Sequence, residues 1–174
     1  MADQQQAVKF QQHLFGGVPV LMHSIYWRNE DHLQGYWTRP NVPGPRLNHL
    51  HICLLIGNDI FSAGEQFASD LKAHQRAVLI GETTEGGAHP GASYRLNSHF
   101  ELFIPTRSAI NPITNQCWEG SAINPDISGS EYDALQIAHQ IALKAIIDEF
   151  GYPYSASQDQ LLEEAREALK HLGI

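Results

Sequence analysis

The stretch HLHICLLIGNDIFSAGEQFASDLKAHQRAVLI, residues 49–80, decides the fold class of this chain. An almost continuous apolar run at 49–57 predicts a strand that is covered on both faces. The segment 62–74 then carries its apolar residues on one helical face, and the run 77–80 predicts another strand. A strand, a helix and a strand in this order form a parallel pair joined by a right-handed crossover. The stretch therefore predicts an α/β fold.

The same alternation continues on both sides of this unit. Segment 26–47 combines paired aromatic residues with prolines, which predicts strand pieces and a loop. Segment 81–91 is a glycine-rich loop. The apolar stripe of the last helix covers either the core or another subunit. The remaining predicted elements are helices at 4–15, 131–150 and 157–172 and strands at 18–25, 99–105 and 108–110.

Composition limits the classes of protein to which the chain can belong. It has 174 residues, 43% of them hydrophobic, and a net charge of −8. A chain of this size buries about 70% of its unfolded surface, so one domain spanning 1–174 is expected. The acidic balance argues against a nucleic-acid partner, because duplex binding needs a clustered basic face. No apolar run reaches the ~20 residues that span a bilayer, and no signal peptide is recognisable, so the localisation stays open.

Ser62 lies where the predicted buried strand leads into the predicted helix. A hydroxyl there sits at the positive end of the helix dipole, and the following amide of Ala63 is free to bind an oxyanion. The same residues form a capping box, in which Ser62 binds the Glu65 amide and Glu65 reaches back. A nucleophile and a helix cap are both compatible with this pattern.

Four segments carry a resemblance to a known family. They read IGNDIFSAGEQF at 56–67, VLIGETTEGGAHP at 78–90, RLNSHFELFIPT at 95–106 and AINPITNQCWEGSAINPD at 109–126. Their order and spacing resemble those of the C-terminal processing (tail-specific) serine peptidases, over about two thirds of the chain. The branch they resemble contains bacterial proteins related to interphotoreceptor retinoid-binding protein. The resemblance implies a crotonase-like (ClpP-like) α/β spiral and hydrolysis of peptide bonds.

By this resemblance Ser62 occupies the nucleophile position and the Ala63 amide an oxyanion position. The processing peptidases carry a Gly-Lys-Gly turn whose lysine is the general base. This chain has Gly86-Gly87-Ala88 there, with Gly87 in place of the lysine. A Ser–Lys dyad is therefore excluded.

Relatives without the lysine use a histidine that is oriented by a late glutamate, and Glu119 matches that glutamate. Their histidine comes from an upstream segment that this chain does not contain. His89 is the best local candidate for the base, because an imidazole with a pKa of about 6.5 accepts a proton at neutral pH. His99, in a predicted strand, is the second candidate. For each of them a simple structural role is the alternative.

The family also has an Asp-Leu-Arg-x-Asn-Gly-Gly-Gly strand and turn upstream of the region that matches this chain. We therefore expect 1–174 to be the C-terminal part of a catalytic domain, without a PDZ domain. An extended peptide is the expected substrate, and the isolated chain is expected to be weakly active or inactive. The alternatives are a non-catalytic domain that binds an apolar ligand or protein, and a domain completed by another chain, including a homo-oligomer.

No metal or cofactor is predicted. His49 and His51 alternate on the predicted strand, but no third ligand follows at a typical spacing. The loop 81–87 lacks the Gly-Lys-Ser/Thr ending of a phosphate-binding loop. Cys53 is interpreted as a small buried apolar residue, and two cysteines are too few for a disulfide scaffold.

Overall fold

A computed structural model describes residues 4–151 and 155–173 of the chain. The helices are α1 (Gln4–Gln11), which continues into a short 3₁₀ helix (Gln12–Leu14), α2 (Ala63–Ala73), α3 (Glu131–Glu149) and α4 (Ala156–His171). The strands are β1 (Leu21–Trp27), β2 (His32–Trp37), β3 (Cys53–Ile56), β4 (Val78–Gly81), β5 (Gly91–Arg95), β6 (Glu101–Pro105), β7 (Arg107–Ile110) and β8 (Ile127–Ser128).

The predicted strand–helix–strand unit is β3, α2 and β4. The two strands pair in parallel, with Cys53 opposite Val78 and Ile56 opposite Gly81. Strand β8 adds to the other side of β4, so this sheet has the order β3-β4-β8. The predicted α/β class is confirmed as a mixed α/β fold.

A second sheet is antiparallel and has the order β2-β1-β7. Strand β1 lies in its centre and pairs with β2 along its whole length, with an irregularity between Leu21 and His23. Strands β5 and β6 form a separate hairpin. The loop 82–90 leads from the end of β4 in the parallel sheet to this hairpin.

Helix α2 contributes to two clusters of buried apolar side chains. Each fully buried large apolar side chain stabilises the fold by about 1.5–3 kcal/mol, so packing on both sides fixes the position of α2. The first cluster joins residues of both three-stranded sheets and consists of Ile25, Ile56, Ala68, Leu79, Ala88, Ala109, Trp118 and Ile123. The second cluster includes Val8 of α1 and consists of Val8, Leu14, Phe15, Met22 and Leu71.

Of the two C-terminal helices, α3 packs against the parallel sheet and α4 packs against α3. Ala134 and Ala138 of α3 pack against Ile80 of β4. The apolar stripe of α4, with Ala165 and Leu169, packs against α3. The stripe therefore covers another helix of the same chain. No helix within the described ranges is long and apolar enough to cross a membrane.

Two predictions about strands are wrong. The strand predicted at 49–57 begins only at Cys53 and lies at a sheet edge, with Leu55 40% exposed, so it is not covered on both faces. His49 and His51 lie in the exposed loop before it. His99 lies in the turn between β5 and β6, because the Asn97 side chain accepts the His99 N–H at 2.8 Å and closes that turn.

Candidate active site

Ser62 lies directly before the first residue of α2, and its predicted position after a strand and before a helix is confirmed. Its backbone has φ 54° and ψ −109°, and the residue is exposed. A non-glycine residue with positive φ costs on the order of 1–3 kcal/mol, and such strain concentrates at functional sites. The Ala63 N–H, the first amide of the helix, has no acceptor within the described part of the chain.

The Glu65 side chain makes one of the two contacts of the predicted capping box. Its Oε2 accepts the Ser62 N–H at 2.9 Å. The Ser62 side chain faces the Glu65 amide as the box requires, but it makes no side-chain hydrogen bond that caps the helix. The capping box predicted from the Ser-x-x-Glu pattern is therefore present at the start of α2.

The Glu65 carboxylate also holds the glycine-rich loop. It is 0% exposed, and Oε1 accepts the Thr84 hydroxyl at 2.6 Å and the Gly86 N–H at 2.7 Å. Oε2 accepts the Gly87 N–H at 2.8 Å in addition to that of Ser62. A buried carboxylate is tolerated when donors satisfy it, and here four donors do so. Glu65 thus fixes the loop against the start of α2.

The space beside Gly87 is occupied by an aromatic ring. A Cβ built on Gly87 would lie 2.0 Å from Cε2 of Phe61, and Gly86 has φ +98°, which favours glycine. A lysine at Gly87 would therefore displace Phe61. The sequence shows only that the lysine is missing, whereas the structure shows what fills its place.

His89 and Glu119 face each other across the end of this loop. His89 Nδ1 lies 3.6 Å from Glu119 Oε2, too far for a hydrogen bond but close enough for an ion pair once the imidazole is protonated. The same Oε2 accepts the Ala88 N–H at 2.6 Å, and the Gly120 N–H donates to the Gly86 carbonyl at 2.9 Å. These two hydrogen bonds join the segment of Glu119 to the loop that precedes His89.

One cavity of about 620 Å³ brings the predicted site residues together. Ser62, Ala63, His89 and Glu119 all line it, whereas His99 is not among its lining residues. The other lining residues are mostly apolar or aromatic: Ile25, Trp27, Tyr36, Phe61, Gly87, Pro90, Gly91, Phe103, Pro105 and Arg107.

The sequence analysis missed Arg107 as a site residue, whereas Trp27 lies in the aromatic segment that it singled out. The Arg107 guanidinium carbon lies 3.7 Å from the Trp27 ring centroid, a stacked cation–π contact. It also missed a fully buried pair, His23 and Asp70, whose Nδ1 and Oδ2 are 2.9 Å apart. The His23 ring stacks on Tyr36, which lines the cavity. Only the aromatic character of segment 26–47 pointed in this direction.

The residues described here include no group of three His, Cys, Asp or Glu side chains that could hold a metal ion. Burial raises the pKa of the Cys53 thiol, which favours the unreactive protonated form. Cys53 packs at the edge of the α3 cluster rather than in the cavity. The chemistry available in the cavity is that of a hydroxyl, an imidazole, a carboxylate and a guanidinium.

Several solved structures of other proteins have a similar fold. The chain is similar to a photosystem II D1 C-terminal processing protease (TM-score 0.60, 16% identity, 74% of this chain and 31% of that one). It is also similar to a lipoprotein from Streptococcus agalactiae (TM-score 0.59, 14% identity, 82% and 50%). A third similar structure is mature CPAF (TM-score 0.59, 10% identity, 78% and 40%). The chain thus spans half or less of each of these three proteins.

The comparison with protein families gives the assignment. The profile of peptidase family S41 matches residues 5–128, a range that contains every residue of the cavity described above. The protein belongs to peptidase family S41.

Proposed function

We propose that this chain carries the nucleophile and the general base of a serine-type peptidase. One observation carries the proposal: Ser62, His89, Glu119 and the acceptor-free Ala63 amide line the same cavity. A hydroxyl, a base and a carboxylate that orients the base are the groups that activate a serine nucleophile.

In the proposed reaction the Ser62 oxygen attacks the scissile carbonyl carbon. His89 Nδ1 faces Glu119, so Nε2 takes the serine proton and then gives it to the leaving amine. The Ala63 N–H donates to the oxyanion, and a water molecule that is deprotonated by His89 releases the acyl group. The gap of 3.6 Å between His89 and Glu119 then closes when the imidazole becomes charged, as is common on substrate binding.

The finer features predicted from the resemblance belong to the same proposal. The substrate is an extended peptide, and the chain belongs to the branch that resembles interphotoreceptor retinoid-binding protein, with a crotonase-like spiral. Gly87 in place of the lysine and His89 two residues later support a histidine-dependent variant of the family chemistry. Among the described residues no strand pairs with the outer edge of β3, which supports completion of the sheet by a further strand or chain. The isolated chain is then weakly active, because a second oxyanion donor is not among the groups identified in the cavity.

Labelling with a fluorophosphonate tests the nucleophile. The Ser62 oxygen should displace fluoride from phosphorus, and Ser62→Ala should abolish the labelling. Ser130→Ala is the matched control, because Ser130 precedes α3 as Ser62 precedes α2, and it caps that helix. His89→Ala should slow the labelling by a factor of about 10² or more, the usual contribution of a general base. Labelling that survives Ser62→Ala would refute the assignment.

A second candidate function is binding without catalysis. The predominantly apolar and aromatic lining of the 620 Å³ cavity favours it, since this volume and lining suit a small apolar ligand. A folded protein that leaves the fluorophosphonate unreacted but binds a neutral fluorescent probe such as 1-aminoanthracene would support this function. Phe103→Ala, which removes one aromatic wall, should then weaken the binding of the probe.

A further inference from the structure

The register between two strands places a cation in the wall of the cavity. Trp27 at the end of β1 pairs directly with Arg107 at the start of β7. The guanidinium carbon then lies 3.7 Å from the centroid of the indole ring, and both side chains line the cavity that contains Ser62. Stacking fixes the plane of the guanidinium and leaves its edge free to bind a planar partner.

This cation has no counter-ion. Within residues 4–151 and 155–173 no carboxylate lies within 4.0 Å of Arg107, and its side chain makes no hydrogen bond. The absence is unusual in a chain with 19 acidic and 11 basic residues. Glu119 lines the same cavity but faces His89 and the Ala88 amide instead.

Two donors beside the stack also lack an acceptor. Arg107 Nε and Trp27 Nε1 are both buried without a hydrogen-bond partner. More than about 90% of buried polar groups in proteins are hydrogen-bonded, so two orphan donors in one stacked pair need an explanation. The terminal nitrogens of Arg107 are not among the buried atoms without a partner, and they are accessible from the cavity.

We propose that Arg107, stacked on Trp27, is a subsite that binds a carboxylate of the substrate. As a statement about a peptidase substrate, this inference rests on the proposed function. The guanidinium offers parallel N–H donors that match the two oxygens of a carboxylate. Apolar side chains, including Ile25 and Phe103, line the same cavity, and a less polar surrounding than bulk water strengthens the charge–charge attraction.

The carboxylate of a peptide has two sources, an acidic side chain and the C-terminus. Four acetylated peptides distinguish them: Ala-Leu-Xaa-Ala-Leu with glutamate or glutamine at Xaa, and with a free or an amidated C-terminus. Binding is measured by calorimetry on the Ser62→Ala protein, in which no turnover occurs. The glutamate peptides bind more tightly if the side chain is recognised, and the free acids bind more tightly if the terminus is. Either preference supports the carboxylate subsite.

We expect the favoured carboxylate to improve affinity about tenfold or more, the usual effect of a hydrogen bond to a charged partner. Arg107→Gln should remove this preference and leave the affinity for the glutamine amide peptide unchanged. Arg107→Lys keeps the charge and should retain part of the preference for the carboxylate. This variant tests the inference even if the Arg107→Gln protein does not fold. Arg95→Gln is the matched control, because Arg95 lies on the exposed strand β5 and does not line the cavity.

Equal affinities of the four peptides, or a preference that survives Arg107→Gln, would overturn the inference. The result does not depend on catalysis. A carboxylate preference in a protein whose Ser62 is never labelled would keep the subsite and discard the peptidase. Labelling of Ser62 together with equal affinities of the four peptides would keep the peptidase and discard the carboxylate subsite.

Discussion

Replacing Glu65 by glutamine tests whether this carboxylate holds the glycine-rich loop between β4 and β5. The side chain keeps its size, but one oxygen becomes an NH₂ group that can only donate. In the native protein Oε1 accepts from Thr84 and Gly86, and Oε2 accepts from Ser62 and Gly87. Whichever way the amide turns, two of these donors face another donor and lose their acceptor.

The cost follows from the burial of the site. Glu65 is 0% exposed, so water cannot replace the lost acceptor. Each buried donor that is left unpaired costs about 1–3 kcal/mol, which gives about 2–6 kcal/mol for two. A typical domain has a free energy of unfolding of only about 5–15 kcal/mol. Glu65→Gln should therefore remove a large part of the stability and loosen the loop that carries His89.

Urea unfolding followed by circular dichroism measures this effect. Glu85→Gln is the matched control, because Glu85 lies in the same loop but is exposed and its side chain makes no hydrogen bond. That control should change the free energy of unfolding by no more than about 0.5 kcal/mol. A Glu65→Gln protein with the same urea midpoint as the control would refute the structural role of the carboxylate.

Two further predictions concern the packing and the pH dependence of the fold. Gly87→Ala should lower the free energy of unfolding by about 1–3 kcal/mol, because the new methyl group would lie 2.0 Å from the Phe61 ring. Adding Phe61→Ala should recover most of this loss of stability. Additive losses of stability in the double-mutant cycle would contradict the contact. Partial burial raises the pKa of Asp126, but the hydrogen bonds from Lys72 and the Leu79 amide outweigh it and hold this pKa below its usual range. The resulting stability is present above the unfolded pKa of about 3.9 and is lost as the pH falls through the lower folded pKa. Between pH 6 and pH 3 the free energy of unfolding should therefore fall less for Asp126→Asn than for the wild type. The difference should be about 1 kcal/mol or less, because the carboxylate is partly exposed. Equal losses of stability in the two proteins would count against the interaction.

Local sequence rules predicted the centre of the fold well. The apolar run before Gly57 and the Ser-x-x-Glu pattern at Ser62 depend only on neighbouring residues, and both the strand and the helix start are found there. The extent of β3 could not be predicted in this way. Whether a strand lies at an edge depends on pairing partners far along the chain, and whether a side chain such as Leu55 is exposed depends on which elements pack on that face of the sheet.

The residues of the candidate site also differ in how far the sequence could predict them. Ser62, His89 and Glu119 could be proposed from motifs, because each lies in a segment with a recognisable pattern. The stack of Trp27 and Arg107 depends on the register between β1 and β7, and no pattern in either segment specifies that register. A single sequence therefore indicates candidate site residues that lie in motifs more readily than contacts that depend on the register between strands.

Two glutamates, Glu65 and Glu119, bind the backbone of the glycine-rich loop just before His89. Glu65 accepts the amides of Gly86 and Gly87, and Glu119 accepts the next amide, that of Ala88. Three consecutive backbone N–H groups are thus bound to carboxylates immediately before His89. A loop that is held in this way needs no side chain at Gly87 to fix its course. In the proposed mechanism, His89 at the end of this loop is the general base, so its position depends on how firmly the loop is held. Loss of Glu65 should therefore affect the reactivity of Ser62 through the position of His89 as well as through stability.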